Sequence, residues 1–212
     1  MTSCARQSLL LSVMLAMASP ALAQSRAEIS GGVTWTGGFD AGGTDATLSR
    51  GAAGATPLTL FSTSSRVRPA VGASGRVAFF VTPQLAVEGS LEYSRPSLET
   101  AFSNDFEQAT GTQATIGIAS YLFGGSALYH FGGARLVPFV SAGGGWLRQL
   151  DQDRVNVVDG PELHAGGGVK YRLSSSFGLR VEAGVSSREK TVSFEDKRRT
   201  VPVVSGGVTY RF

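Results

Sequence analysis

The chain has 212 residues, a net charge of +3, 28 glycines and a single cysteine. That is one domain's worth of length; no basic cluster with interleaved aromatics marks a nucleic-acid surface, and Cys4 alone excludes a disulfide framework. No apolar run reaches the roughly 20 residues of a membrane helix, yet a mean hydropathy of +0.06 leaves membrane strands open, because lipid-facing and inward residues alternate and cancel in the average.

Residues 1–23 read as a secretory signal peptide. Arg6 supplies the positive start, Leu9–Ala18 a short apolar core, and Pro20-Ala21-Leu22-Ala23 an A-x-A cleavage site ahead of Gln24. Cys4 would leave with it, so residues 24–212 are the expected mature domain. From Ala27 onward the dominant signal is a period of two, which marks strands whose successive side chains point to opposite faces. In Ala27–Thr36, Ile29, Gly31, Val33 and Trp35 oppose Glu28, Ser30, Gly32 and Thr34. Residues 37–66 read as a long low-charge connection, in which Leu58–Phe61 is either a strand extension or a patch brushing lipid. The second strand, Val67–Phe80, sets Val67, Val71, Val77 and Phe79 against Arg68, Ser74 and Arg76. A tight turn at Val81-Thr82-Pro83-Gln84 follows, since proline pre-sets a turn backbone.

The third strand, Leu85–Ser94, alternates most cleanly: Leu85, Val87, Gly89, Leu91 and Tyr93 against Ala86, Glu88, Ser90, Glu92 and Ser94. After a polar loop over residues 95–112, the fourth strand (Gln113–Phe131) places Tyr121, Phe123, Ala127, Tyr129 and Phe131 in one register. The fifth (Leu136–Leu150) is apolar or glycine on both faces, with Leu136, Val140, Ala142 and Trp146 expected outward. A loop over 151–162 leads to the sixth strand (Leu163–Leu173), with His164, Lys170 and Arg172 on its polar face. A serine turn leads to the seventh (Phe177–Ser187), where Arg180 and Glu182 oppose Leu179 and Val181. A charged loop over 188–200 precedes the last strand.

That strand, Val201–Phe212, ends on an exposed Tyr-x-Phe, where aromatic rings suit a membrane–water interface. Ser205-x-Gly207-x-x-Tyr210-x-Phe212 resembles the C-terminal assembly signal of bacterial outer-membrane β-barrel proteins. The resemblance implies insertion by the barrel-assembly machinery. Eight strands joined by three short turns and four longer loops predict an all-β fold, an eight-stranded antiparallel up-and-down transmembrane β-barrel, with turns in the periplasm and loops outside. VTPQLAVEGSLEYS and HAGGGVKYRLSSSFGLRVEAG are also similar to hairpins of the OmpA-like and OmpX-like barrels.

With apolar faces toward lipid, Glu28, Arg68, Arg76, Glu88, Glu92, Lys170, Arg172, Arg180, Glu182 and Arg211 converge inside. An eight-stranded barrel is only wide enough for its own side chains, so ion pairs would fill the lumen. Histidines are the candidates for chemistry. Neither His130 nor His164 has the His-x-Ser-Asn pattern of the small lipid A deacylases. Two histidines on separate strands also lack metal-ligand spacing, and the glycine runs lack the lysine of a phosphate loop. No cofactor, metal or catalytic residue is expected. Function then falls to the loops: a structural or surface-interaction protein, expected as a monomer. Lys197, Arg198 and Arg199 are candidate lipopolysaccharide contacts, and the first loop a candidate for a cell-surface ligand. The alternative is a small porin or an OmpW-like carrier of small apolar solutes.

Overall fold

A computed structural model describes residues 27–48, 58–103, 113–151, 157–189, 191 and 198–212. The signal-peptide reading and Lys197 lie outside these residues. Eleven strands follow one another: β1 (Ala27–Thr36), β2 (Phe39–Leu48), β3 (Leu58–Val67), β4 (Ala70–Phe80), β5 (Leu85–Ser94), β6 (Ser97–Ser103), β7 (Gln113–His130), β8 (Leu136–Asp151), β9 (Val157–Arg172), β10 (Phe177–Arg188) and β11 (Arg199–Arg211). Eight of them close an antiparallel ring in the order β1-β4-β5-β7-β8-β9-β10-β11, and β11 returns to pair with β1. The predicted barrel is therefore present, with each strand beside its neighbour in sequence.

The alternation decides which wall faces out. Val33, Val87, Leu91, Val181 and Val208 are all exposed on the outer surface, as are Leu136, Val140, Ala142 and Trp146 of the ambiguous fifth barrel strand. At the turn end, aromatic rings stack edge to face around the rim, Phe177 on Tyr210 and Tyr210 on Phe212, each with centroids 5.0 Å apart. The short turns close by local devices. Thr82 Oγ1 accepts from the amides of Gln84 and Leu85, and Ser174 Oγ accepts from those of Ser176 and Phe177.

The other end departs from expectation. Residues 39–48, 58–66 and 97–103, read as connections apart from the possible strand extension at Leu58–Phe61, form β2, most of β3 and β6, which join the start of β7 in a four-stranded sheet projecting from the barrel. The junction is written in three breaks: Gly37-Gly38, Arg68-Pro69 and Arg95-Pro96. Proline lacks the amide a continuous ladder needs, and a Cβ at Gly38 would run into the Val67 carbonyl and the Pro69 ring. The break between β3 and β4 reverses the expected facing of two residues. Val67 turns inward, buried with Ala41, Leu98 and Ile118 in an apolar cap, whereas Arg68 lies outside, 2.8 Å from Glu99. Ala41 reaches the cap because the register between β2 and β3 slips between Asp40 and Gly42, a bulge that re-aims one side chain.

The lipid-facing assignment predicts a depth-dependent cost. Val181→Arg, midway along β10, should lower unfolding free energy in lipid vesicles by about 2–4 kcal/mol. Thr47→Arg on the projecting β2 should stay within about 0.5 kcal/mol, both read from urea titrations of tryptophan fluorescence.

Candidate functional site

The lumen is built in layers from the inward positions of the eight wall strands. Nearest the turns, Phe80, Ala86, Leu128 and Phe139 form a buried apolar cluster. Cations lie on its rings. The Arg211 guanidinium is 4.4 Å from the Phe80 centroid and that of Arg180 is 4.8 Å from Phe139, distances at which a ring face attracts positive charge. Lys170 Nζ stands 2.5 Å from Glu28 Oε1, joining β9 to β1.

Above this layer, Arg180 of β10 crosses to Glu88 of β5, four places round the eight-strand ring and so on the opposite wall. The pair is two-pronged: Nη1 bonds Oε2, and Nη2 lies 3.1 Å from Oε1. The same Nη2 donates to Glu182 at 2.7 Å. Arg76 of β4 adds Glu182 at 3.0 Å, Glu92 at 3.2 Å and the Ser205 hydroxyl at 3.2 Å, while Ser141 donates to the remaining Glu182 oxygen at 2.5 Å. Desolvating an ion costs several kcal/mol unless partners satisfy its remaining lone pairs and protons. Here each carboxylate has at least one cation, and the network braces the barrel across its width.

Two predicted lumen charges lie elsewhere. Arg68 is outside, as described. Arg172 sits at the turn-end rim, where it donates to the carbonyls of Gly133 and Ala134 at 3.4 and 3.2 Å. Two others were assigned to loops and instead point inward: Glu162, buried on β9, and Arg188, buried on β10, within electrostatic reach of each other. Of the outer-loop cations, Arg198 is exposed and Arg199 half-buried at the start of β11. Ser205 and Gly207 face the lumen while Tyr210 and Phe212 join the aromatic rim.

A further constellation links two strands across a third. His164 Nδ1 lies 2.9 Å from Glu162 Oε2, and its Nε2 lies 2.7 Å from Ser126 Oγ. Ser126 belongs to β7 and His164 to β9, with β8 between them. The contact passes over Gly143, where a Cβ would strike the Gly125 carbonyl and come within 2.7 Å of the imidazole. Such a serine, histidine and carboxylate chain is the arrangement that activates a nucleophile. No pattern within one strand reveals it, because the partners are 38 residues apart; the glycine run opposite them is its trace in the sequence. The cavity beside it measures about 60 Å³, well under the roughly 150 Å³ that admits a benzene ring. The trio gives the buried Glu162 carboxylate a hydrogen-bonding partner. Among the described residues no cluster of histidine, cysteine and carboxylate side chains could hold a metal.

The cross-lumen strut makes a quantitative prediction. Arg180→Met strands Glu88 without its main partner and should cost about 3–5 kcal/mol. Adding Glu88→Gln should recover most of that loss in the same urea titration, because no ionised carboxylate is then left buried without its cation.

In fold, the structure is similar to that of Neisserial surface protein A (TM-score 0.54, 12% identity, 88% of this chain and 97% of that one aligned). It is also similar to Ail, the attachment invasion locus protein of Yersinia pestis, solved in complex with the heparin analogue sucrose octasulfate (TM-score 0.50, 14% identity, 89% and 99% aligned). No curated protein matches the sequence. Residues 8–212 match the model of the outer membrane protein beta-barrel domain, and the chain belongs to that family.

Proposed function

We propose that this chain is a non-enzymatic barrel with a structural and surface-interaction role, placed so that the projecting sheet faces outward from the cell. The observation that carries this reading is a division of labour within the molecule. The wall encloses a packed, ion-paired lumen, while β2–β3–β6–β7 stands clear of it with β2 paired on one side only among the described residues. An edge strand offers unpaired amides and carbonyls to a partner. Arg198 and Arg199, with Lys197 adjacent in sequence, are proposed to pair with lipopolysaccharide phosphates, which an arginine fork can grip bidentately. The likeness to a barrel solved with a sulfated heparin analogue supports an outer surface suited to anions. Insertion through the C-terminal signal by the barrel-assembly machinery, and a monomeric state, are part of the same proposal.

Transport is the reading this disfavours. Arg76, Arg180, Glu88, Glu92 and Glu182 occupy the middle of the lumen, with the apolar cap of Ala41, Val67, Leu98 and Ile118 beyond them. A solute would have to break both layers. Catalysis is disfavoured by the size of the cavity at Ser126.

Three outcomes are expected. In planar bilayers the folded chain should show negligible conductance, and large, stable wild-type channels would overturn the filled lumen. Lipid A from cells overproducing the chain should keep its mass spectrum, with or without Ser126→Ala. Replacing residues 39–67 by a short turn should leave a heat-modifiable barrel but abolish adhesion of expressing cells to glycosaminoglycan-coated and host-cell surfaces. Equal adhesion with and without the sheet, or none from the intact chain, would sink the surface role.

A further inference from the structure

The lumen's charges do not balance level by level. In the middle, Arg76 and Arg180 face Glu88, Glu92 and Glu182. At the turn end the balance reverses. A chamber of about 220 Å³ opens between the turns, and its lining contains Lys170, Arg172 and Arg211 but, among the described residues, one carboxylate, Glu28. Glu28 is engaged with Lys170 at 2.5 Å. Arg172 is anchored by the neutral carbonyls of Gly133 and Ala134, which orient its guanidinium without cancelling its charge. The surplus of positive charge survives even if Arg211 is assigned a counter-charge of its own.

The chamber's walls strengthen that surplus. Phe80 and Val137 line it from within the barrel, and Tyr171 and Phe177 line it at the rim. Apolar walls beside a net positive charge focus the field and concentrate counter-ions. The Thr209 hydroxyl and the Ser174–Ser176 turn add neutral donors to the same lining. Lys170 and Arg172 belong to β9 and Arg211 to β11, with β10 between them, so the cations of the lining stand along one arc of the wall. A tetrahedral, multiply charged oxyanion presents several acceptor oxygens to such a set of guanidinium, ammonium and hydroxyl donors.

We propose that this turn-end chamber is a binding site for a phosphate oxyanion. The group comes either from the headgroup of an anionic phospholipid in the leaflet at that end or from free phosphate. The aromatic rim at this end, including Tyr171, Phe177 and Tyr210, sets the mouth at the depth where headgroup phosphates lie. The lipid source depends on the outer-membrane placement; the free-phosphate source does not.

The test uses the folded chain in nanodiscs of phosphatidylcholine, titrated with sodium phosphate against sodium chloride at matched ionic strength. Amide resonances of Lys170–Ser176 and Arg211 provide the readout. Phosphate should produce saturable shifts confined to this end, and chloride should not. The Arg172→Gln/Arg211→Gln pair should weaken the apparent affinity by roughly tenfold or more, and Arg172→Lys/Arg211→Lys should restore most of it. Mobility of unboiled samples on gels reports that each variant is folded. Identical shifts with chloride, or full affinity in the glutamine pair, would overturn the site; the wild-type comparison decides by itself if that pair does not fold. Nanodiscs containing phosphatidylglycerol separate the sources. A lipid headgroup would pre-shift the same resonances and leave phosphate no further effect, whereas a free-phosphate site would give matching spectra in both lipids. The adhesion assay for the projecting sheet is untouched by either result, so the two readings fail independently.

Discussion

Hydrocarbon offers a backbone amide no hydrogen-bond partner, and a sheet can satisfy every amide in it only by closing on itself. The seam between β1 and β11 does this, pairing Glu28 with Arg211 through to Thr36 with Val203. Most other features follow from that closure. A closed sheet has an inside and an outside, so the two-residue period becomes a division between solvents. Valines and leucines at odd-numbered positions of β4, β5, β9 and β10 and at even-numbered positions of β8 meet lipid, and polar or charged residues at the even-numbered positions of β5, β9 and β10 meet one another.

The diameter of eight strands then dictates how the inside is filled. There is space for side chains and a little water, and buried charges must find partners across the lumen. Arg180 reaches Glu88 on the opposite wall, Arg76 reaches Glu182, and Lys170 reaches Glu28. Long side chains of this kind need short ones beside them. Gly143, Ser126, Ser141 and Ser205 occupy inward positions among the charges, and two of the serines also satisfy carboxylate or guanidinium groups directly.

What could be read beforehand depended on which solvent each face meets. Leu85–Ser94 and Phe177–Ser187 alternate because one side touches lipid, and their facing was legible residue by residue. Strands β2, β3 and β6 have water on their outer face and a small cap on the other, so Gly, Ser and Thr replace the apolar rhythm and the segments resemble loop. Arg68 was placed inside because the alternation was continued through Arg68-Pro69, where the chain changes sheet. Glu162 and Arg188 were lost to boundaries: β9 begins at Val157 and β10 runs to Arg188, beyond the lipid-facing stretch that makes a strand visible. Interior apolar residues such as Phe80, Leu128 and Leu147 follow outward apolar neighbours, and these doublets are the sequence's sign that the lumen is layered. The contact of Ser126 with His164 needed the register of three strands and had no local signal.

The two ends of the lumen are finished differently, which bears on how the projecting sheet works. Its cap draws Ala41 from β2, Val67 from β3, Leu98 from β6 and Ile118 from β7, so each projecting strand contributes one buried apolar side chain to the plug over the barrel. The sheet cannot swing away without exposing that cluster to water, at about 25 cal/mol for each Å² of apolar surface. The ion network lies below the cap and shares no side chain with it. Stability therefore runs one way: a rigid barrel, braced by charges it holds in common across its width, fixes the orientation of the sheet, and the sheet can vary its exposed residues without disturbing the brace. Such a base holds the edge strand at a constant angle to the barrel, and under the proposed surface role that geometry lowers the ordering cost of engaging a partner.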